Sequence, residues 1–255
     1  MRDKDTADRE TYFHLSTRPL HILVFLLPLV AVYEIGSVLF LTDQSTGVVE
    51  TIKAQRLLSD FFGLFGVTGV YLPGVALVAV LLVWQVISRD PWRVRGWALG
   101  GMLAESALWT APLFILSRTL QQLAAALSSG SAAAALAEGE DLTQLSAPAR
   151  ATIAIGAGLY EELLFRMLAI AALHLVFVDL LKAKETQGRI AAVALAAAAF
   201  ALYHDAATQG GAQWGLLAFY FAAGLYFGGL YAWRGFGVVV GAHAIYDIAA
   251  LLLRG

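Results

Sequence analysis

Seven apolar runs, several close to 20 residues long, dominate this sequence: about Leu20–Leu41, Val67–Ile87, Trp97–Leu116, Ala149–Val178, Ile190–His204, Trp214–Trp233 and Phe236–Leu253. A helix needs about 20 such residues to cross the hydrocarbon of a bilayer. The composition agrees. Over 255 residues the chain is 59% hydrophobic and 14% charged, with a mean hydropathy of +0.71, against roughly 45–50% and 25% in a soluble domain. A water-soluble globule is excluded, and the expected fold is an all-α polytopic transmembrane bundle of seven to eight spans, because lipid leaves backbone groups no partner outside a helix or closed barrel. The first run is longer than a signal-peptide core and is followed by Thr42-Asp43-Gln44 without a small-x-small cleavage pattern, so it reads as an uncleaved helix.

Between the runs, charge sets the expected orientation. Eleven Lys and Arg residues fall on the side of the N-terminus, counting Arg234, against five on the other. The N-terminus is therefore expected in the cytoplasm, with the protein in the cell (inner) membrane. Residues 1–19 read as a polar cytoplasmic tail. Residues 20–148 hold the first spans, an amphipathic segment at 48–62 suited to the membrane surface, and an Ala-rich loop from Ser128 to Pro148. Cysteine is absent, which removes thiolate metal sites and cysteine nucleophiles, and a net charge of −2 gives no reason to expect nucleic acid as a partner. Glycines at 224 and 228, and at 237 and 241, have the four-residue spacing that lets membrane helices pack closely.

Ionisable residues inside apolar spans are costly, so those present are informative. The fourth span carries Glu161-Glu162 and Arg166. Helical geometry puts Glu162 and Arg166 on one face, where they should pair, and turns Glu161 about 100° away, free to face a cavity as an ionisable base. The fifth span ends with Phe200 and His204 on one face, and the seventh places His243 and Asp247 at i and i+4. Carboxylates and imidazoles in this number can activate and direct a water molecule, with or without a metal.

Glu-Glu-x-x-x-Arg, Phe-x-x-x-His and His-x-x-x-Asp, in this order on separate late spans, resemble the three motifs of the CPBP family (CAAX protease and bacteriocin-processing, also called Abi). The resemblance covers about residues 149–253. It implies a CAAX-protease-like intramembrane endopeptidase whose catalytic core is residues 149–255. Glu161 and His204 would activate the attacking water, His243 and Asp247 would stabilise the oxyanion, and Glu162, Arg166 and Phe200 would support them. Where some members have Asn, this chain has Asp247, which as a carboxylate cannot donate to an oxyanion. It is expected either to orient a protonated His243 or to be kept neutral. The resemblance implies no required cofactor on the preferred reading. Glu161, His204 and His243 would also make a three-ligand set for a divalent metal such as zinc, with an open fourth position, although no His-Glu-x-x-His is present. The implied partners are a protein or peptide substrate, including a membrane-anchored one, and the bilayer itself.

The rival reading is a non-catalytic membrane protein, either an immunity or scaffold protein or a proton-coupled transporter using the same polar residues. Other polar residues have blander expectations. Glu34 and Glu105 should hydrogen-bond to neighbouring helices, His21 and His174 should face the interface near span ends, and Trp84, Trp92, Trp97, Trp214 and Trp233 should form an aromatic belt. With the fifth span drawn from Ile190, His204 falls nearer a membrane surface than Glu161 and His243, yet the three must meet to share one water.

Overall fold

The computed structural model describes residues 11–42, 52–69, 71–127, 145–204, 207–208, 211–212 and 214–253. Most of the tail, the start of the amphipathic segment and most of the Ala-rich loop lie outside the described residues. Ten helices are described: α1 (Tyr12–Leu15), α2 (Pro19–Phe40), α3 (Lys53–Gly63), α4 (Leu72–Ser88), α5 (Gly96–Leu108), α6 (Ala111–Leu127), α7 (Ala147–Leu180), α8 (Glu185–Tyr203), α9 (Trp214–Arg234) and α10 (Phe236–Leu253). Two-residue strands, Ala207–Thr208 and Gly211–Ala212, pair antiparallel between α8 and α9. Five helical stretches are long and apolar enough to cross a membrane, and two shorter apolar helices, α4 and α10, accompany them. The chain is an all-α, integral multi-pass membrane protein.

Local chemistry moves some boundaries. The second span begins at Leu72 rather than Val67, with Pro73 in its first turn, where a missing N–H costs nothing. The third is broken at Trp109–Thr110 into α5 and α6. Pro112 lacks the N–H that would bond back to Leu108, and the Thr110 hydroxyl bonds the Ala107 carbonyl at 2.7 Å instead. The amphipathic segment becomes α3, which buries Ala54, Gln55 and Leu58 and exposes Leu57 and Phe61. The five tryptophans expected in a belt are all exposed.

α7 is the central element. It starts behind a Ser146 cap, whose hydroxyl accepts from the Ala149 N–H, and runs 34 residues with two π-helical stretches, Leu163–Ala169 and Leu175–Leu180. α2 and α10 pack along it. The crossing with α10 is closest at Gly158, where a Cβ would stand 2.8 Å from the Ala244 backbone nitrogen and 2.9 Å from its Cα. Because backbone cannot yield as a flexible side chain can, glycine sets how near α10 approaches the carboxylates of α7. The spaced glycines do similar work elsewhere: Gly224 backs onto Ala197, Gly228 onto Val193, Gly237 onto Met102 and Gly241 onto Ser106.

A second polar cluster closes the far end of α9. Arg234, 1% exposed, donates to Glu105 at 2.5 and 2.7 Å and to the Ser16 hydroxyl at 3.0 Å. The Tyr12 phenol also donates to Glu105, at 2.5 Å, and burial beside that carboxylate raises the phenol above its ordinary pKa. Glu105 is thus a partly buried hydrogen-bond partner of neighbouring helices, as expected. Arg234, counted with the basic residues of the N-terminal side, lies in the last turn of α9 as expected and is buried there. His21 is corrected: it is fully buried, its Nε2 accepting from the Arg95 N–H at 3.1 Å, because the turn entering α5 folds over it. His174 is partly exposed and contacts Glu185 at 3.0 Å.

Gly158→Leu should therefore destabilise the fold by about 1–3 kcal/mol through overpacking against backbone, while Gly100→Ala, which enters open space, should leave the melting temperature unchanged or slightly higher. Thermal unfolding of the two variants in detergent checks this.

Candidate active site

Helical register first explains how Glu161 and His204 become level. α7 and α8 form a hairpin, and each of these residues lies nineteen positions from its end of the connection, counting from Leu180 and from Glu185. Equal counts along the two arms of the hairpin bring the two residues to a similar height. The fifth span starts five residues earlier than its hydropathy suggests, because Glu185 and Arg189 form an exposed i,i+4 pair at 2.8 Å that extends the helix beyond its apolar part.

His204 is the first residue past α8 and has left helical geometry (φ −84, ψ 63). Its Nδ1 lies 2.8 Å from the Phe200 carbonyl. A carbonyl only accepts, so Nδ1 carries the proton, and in the neutral ring the lone pair is on Nε2. Nε2 faces Glu161 Oε2 at 3.5 Å. Tyr220 of α9 stacks on the imidazole, with ring centroids 3.9 Å apart and planes 18° apart, and fixes its tilt. Glu161 Oε2 is buried and makes no hydrogen bond.

His243 stands on the other side of Glu161. Its Nε2 is 3.9 Å from Glu161 Oε2 and 3.2 Å from Asp247 Oδ2, and its Nδ1 contacts Glu162 Oε1 at 2.6 Å. Phe227 stacks on its ring at 4.7 Å. Glu162 is fully buried, and the same Oε1 meets Arg166 Nη1 at 3.0 Å. The Arg166 guanidinium lies over the Phe200 ring at 4.2 Å and the Phe227 ring at 5.2 Å. Phe200 thus touches Arg166 on one side and His204 on another, with ring centroids 4.5 Å apart in the second case.

All seven residues singled out in the sequence come together. The Glu162–Arg166 pair forms as its spacing implied. Three features carried no readable signal: the contact of Glu162 with His243, the aromatic plates Tyr220 and Phe227, and the π-helical turn that begins directly after Glu162. The first two are contacts between helices. The third widens the helix between Glu162 and Arg166, a distortion frequently found at functional sites.

Exposure gives the cluster a direction. The side chains of Glu161 and His243 are 7% and 5% exposed, whereas those of His204 and Asp247 are 19% and 25% exposed. The cluster is therefore open to its surroundings on the side of the latter two. Among the described residues no group of three or more His, Asp or Glu side chains is arranged to hold a metal ion. His243 has Nδ1 against Glu162 and Nε2 between Asp247 and Glu161.

Fold and cluster together describe a polytopic helical membrane protein with carboxylates and imidazoles gathered inside its bundle. Residues 143–249 match the family model described as type II CAAX prenyl endopeptidase Rce1-like. This match contains every residue of the cluster and bears out the resemblance to the CPBP family. No curated protein and no solved structure matches the chain.

Arg166→Lys keeps the charge but loses the planar group stacked between two rings. It should lower stability by about 1–2 kcal/mol, visible as a lower melting temperature alongside a less ordered His243 ring in NMR spectra of labelled histidine.

Proposed function

We propose that the protein is an intramembrane endopeptidase in which a water molecule, held between Glu161 and His204, attacks the scissile carbonyl. The observation that carries the reading is the meeting of two acceptors. The His204 Nε2 lone pair and the Glu161 carboxylate stand 3.5 Å apart, and with Glu161 ionised neither has a proton to offer the other. A water that donates one O–H to each satisfies both, and its oxygen lone pairs then point away from the two bases, toward an incoming carbonyl.

As the water oxygen bonds to the carbonyl carbon, one of the water's protons passes to Glu161 or His204 and the carbonyl electrons move onto oxygen. That oxyanion forms near His243. With a proton on each ring nitrogen, His243 donates from Nδ1 to Glu162 and from Nε2 toward Asp247 and the developing charge. Asp247 acts by orienting His243, the first of its two expected roles. The C–N bond then breaks as the proton taken from water is delivered to the leaving amine, and a carboxylic acid and an amine result. Arg166 and Glu162 hold the frame and do not touch the reacting atoms. The family's description points to prenylated CAAX tails, and a membrane-anchored protein or peptide cut near the membrane surface is the substrate class we propose. The chemistry is proposed as metal-free, in the cell membrane, with the N-terminus in the cytoplasm.

The test is hydrolysis of a membrane-anchored peptide by the protein reconstituted in vesicles. Glu161→Gln should reduce kcat by a factor of about 10²–10⁴ while leaving the melting temperature close to that of the parent. Chelation should leave parental activity intact. Activity lost on chelation and restored by zinc would replace the metal-free chemistry with a metal-dependent one, and full activity in Glu161→Gln would remove the reading.

A further inference from the structure

A cavity of about 380 Å³ has no part in this chemistry. It lies toward the closed end of the α7–α8 hairpin, away from Glu161, and is lined by Ile170, His174 and Asp179 of α7, Arg189 and Val193 of α8, and Tyr231 of α9. Its size is within the range of small-ligand sites, roughly 300–1,000 Å³. In a regular α-helix His174 and Asp179, five residues apart, would point about 140° away from each other. The π-helical stretch Leu175–Leu180 brings them together, because i→i+5 bonding returns the chain to nearly the same face after five positions. About one turn before Tyr231, Gly228 lets α9 approach Val193 closely. Two opposite charges border the space without meeting. Arg189 uses Nη2 on Glu185 at 2.8 Å, whose Oε1 also contacts His174. Asp179 forms no ion pair among the described residues, and the Tyr231 hydroxyl makes no hydrogen bond among them. Leu175, Leu180, Leu181 and Ile190 around the cavity are exposed and apolar, and so is Trp233, two residues past Tyr231. With Lys182 and Lys184 in the connection, these neighbours set the cavity where hydrocarbon gives way to lipid headgroups.

We propose that this cavity binds the headgroup of a phosphoethanolamine-bearing glycerophospholipid. A wall that holds one charge of each sign, close together and unpaired with each other, matches a zwitterion. Asp179 accepts an N–H from the primary ammonium, and Arg189 donates to the phosphate, for which a guanidinium is well shaped. The Tyr231 hydroxyl supplies one more donor to the phosphate oxygens. Ile170, Val193 and Leu175 are apolar and accept the glycerol end of the acyl chains, which continue over the exposed apolar surface beside them. The other common headgroups fit less well. Choline presents methyl groups where Asp179 calls for N–H donors, and a glycerol headgroup brings no cation to that carboxylate. The proposal goes beyond the proteolytic reading and does not depend on it, since the two share no residue.

Binding is read by thermal unfolding of the full-length protein in detergent, titrated with dihexanoyl-phosphatidylethanolamine and, in parallel, with dihexanoyl-phosphatidylcholine and dihexanoyl-phosphatidylglycerol. The ethanolamine lipid should raise the melting temperature along a saturating curve, with half-saturation about tenfold or more below that of either other lipid, the scale of one charge-assisted hydrogen bond. Asp179→Asn should remove the preference over the choline lipid, and Arg189→Gln should raise half-saturation for the ethanolamine lipid by a similar factor. Ala171→Trp, which fills the cavity from an exposed position in its wall and leaves both charges in place, should abolish the saturating response and serves if a charge variant does not fold. The absence of a saturating rise with the ethanolamine lipid, equal half-saturation among the three lipids, or an undiminished preference in the folded variants overturns the inference.

Discussion

Everything around the candidate site depends on how the Glu162 carboxylate is neutralised. It is fully buried in a membrane bundle, and a single oxygen, Oε1, receives both the Arg166 guanidinium of its own helix and the His243 imidazole of α10. An unpaired charge at such a place costs several kcal/mol. Pairing it ties α7 to α10 at one point, and the stacking of Arg166 on Phe200 and Phe227 brings α8 and α9 to the same point. Four helices thereby meet around Glu161. The close crossing at Gly158, about one turn earlier in α7, makes this possible, since a side chain there would hold α10 too far away for His243 to reach Glu162.

The second buried cluster, Glu105 with Arg234, performs the same kind of registration at the other end of α9. Through Tyr12 and Ser16 it fastens α1 and the turn after it across α5 and α9. The bundle is therefore pinned at two places by ion pairs, with apolar packing between them. This division suits a protein in lipid, where apolar contact alone does little to specify how helices associate, because the surrounding tails are equally apolar. Glu34 departs from the pattern, because its carboxylate has a phenol where the other two clusters have a guanidinium.

Much of this architecture was legible in the sequence, since hydropathy and helical periodicity are local properties. Seven apolar segments give seven apolar helices or helix pairs, and ionisable residues inside them, with the resemblance to the three family motifs, single out Glu161, Glu162, Arg166, Phe200, His204, His243 and Asp247. Errors arose where hydropathy is a poor guide to helix ends. Hydropathy makes the fifth span too short because its first turn is a charged pair rather than apolar, and the apparent mismatch in depth between His204 and Glu161 follows from that. Trp97–Leu116 has the hydropathy of one unbroken span because the consequence of Pro112 for residues 108–110 is a backbone effect that an apolar average does not register. Position near a span end puts His21 at the interface and gives Arg234 no partner, though each has one distant in sequence, the Arg95 N–H and Glu105. The link between Glu162 and His243 spans 81 positions and follows from no local pattern.

The central claim of the proposed chemistry is that the attacking oxygen comes directly from water, with Glu161 acting as a base and never bonding to the substrate. A single turnover in oxygen-18 water, with the protein in molar excess over a membrane-anchored peptide, tests this most directly by mass spectrometry of both product and protein. The account predicts one oxygen-18 atom in the new C-terminal carboxylate of the product and none in the peptide containing Glu161. Oxygen-18 found in the Glu161 carboxylate, with an unlabelled product, would mean that Glu161 had formed a covalent acyl intermediate, and would contradict it.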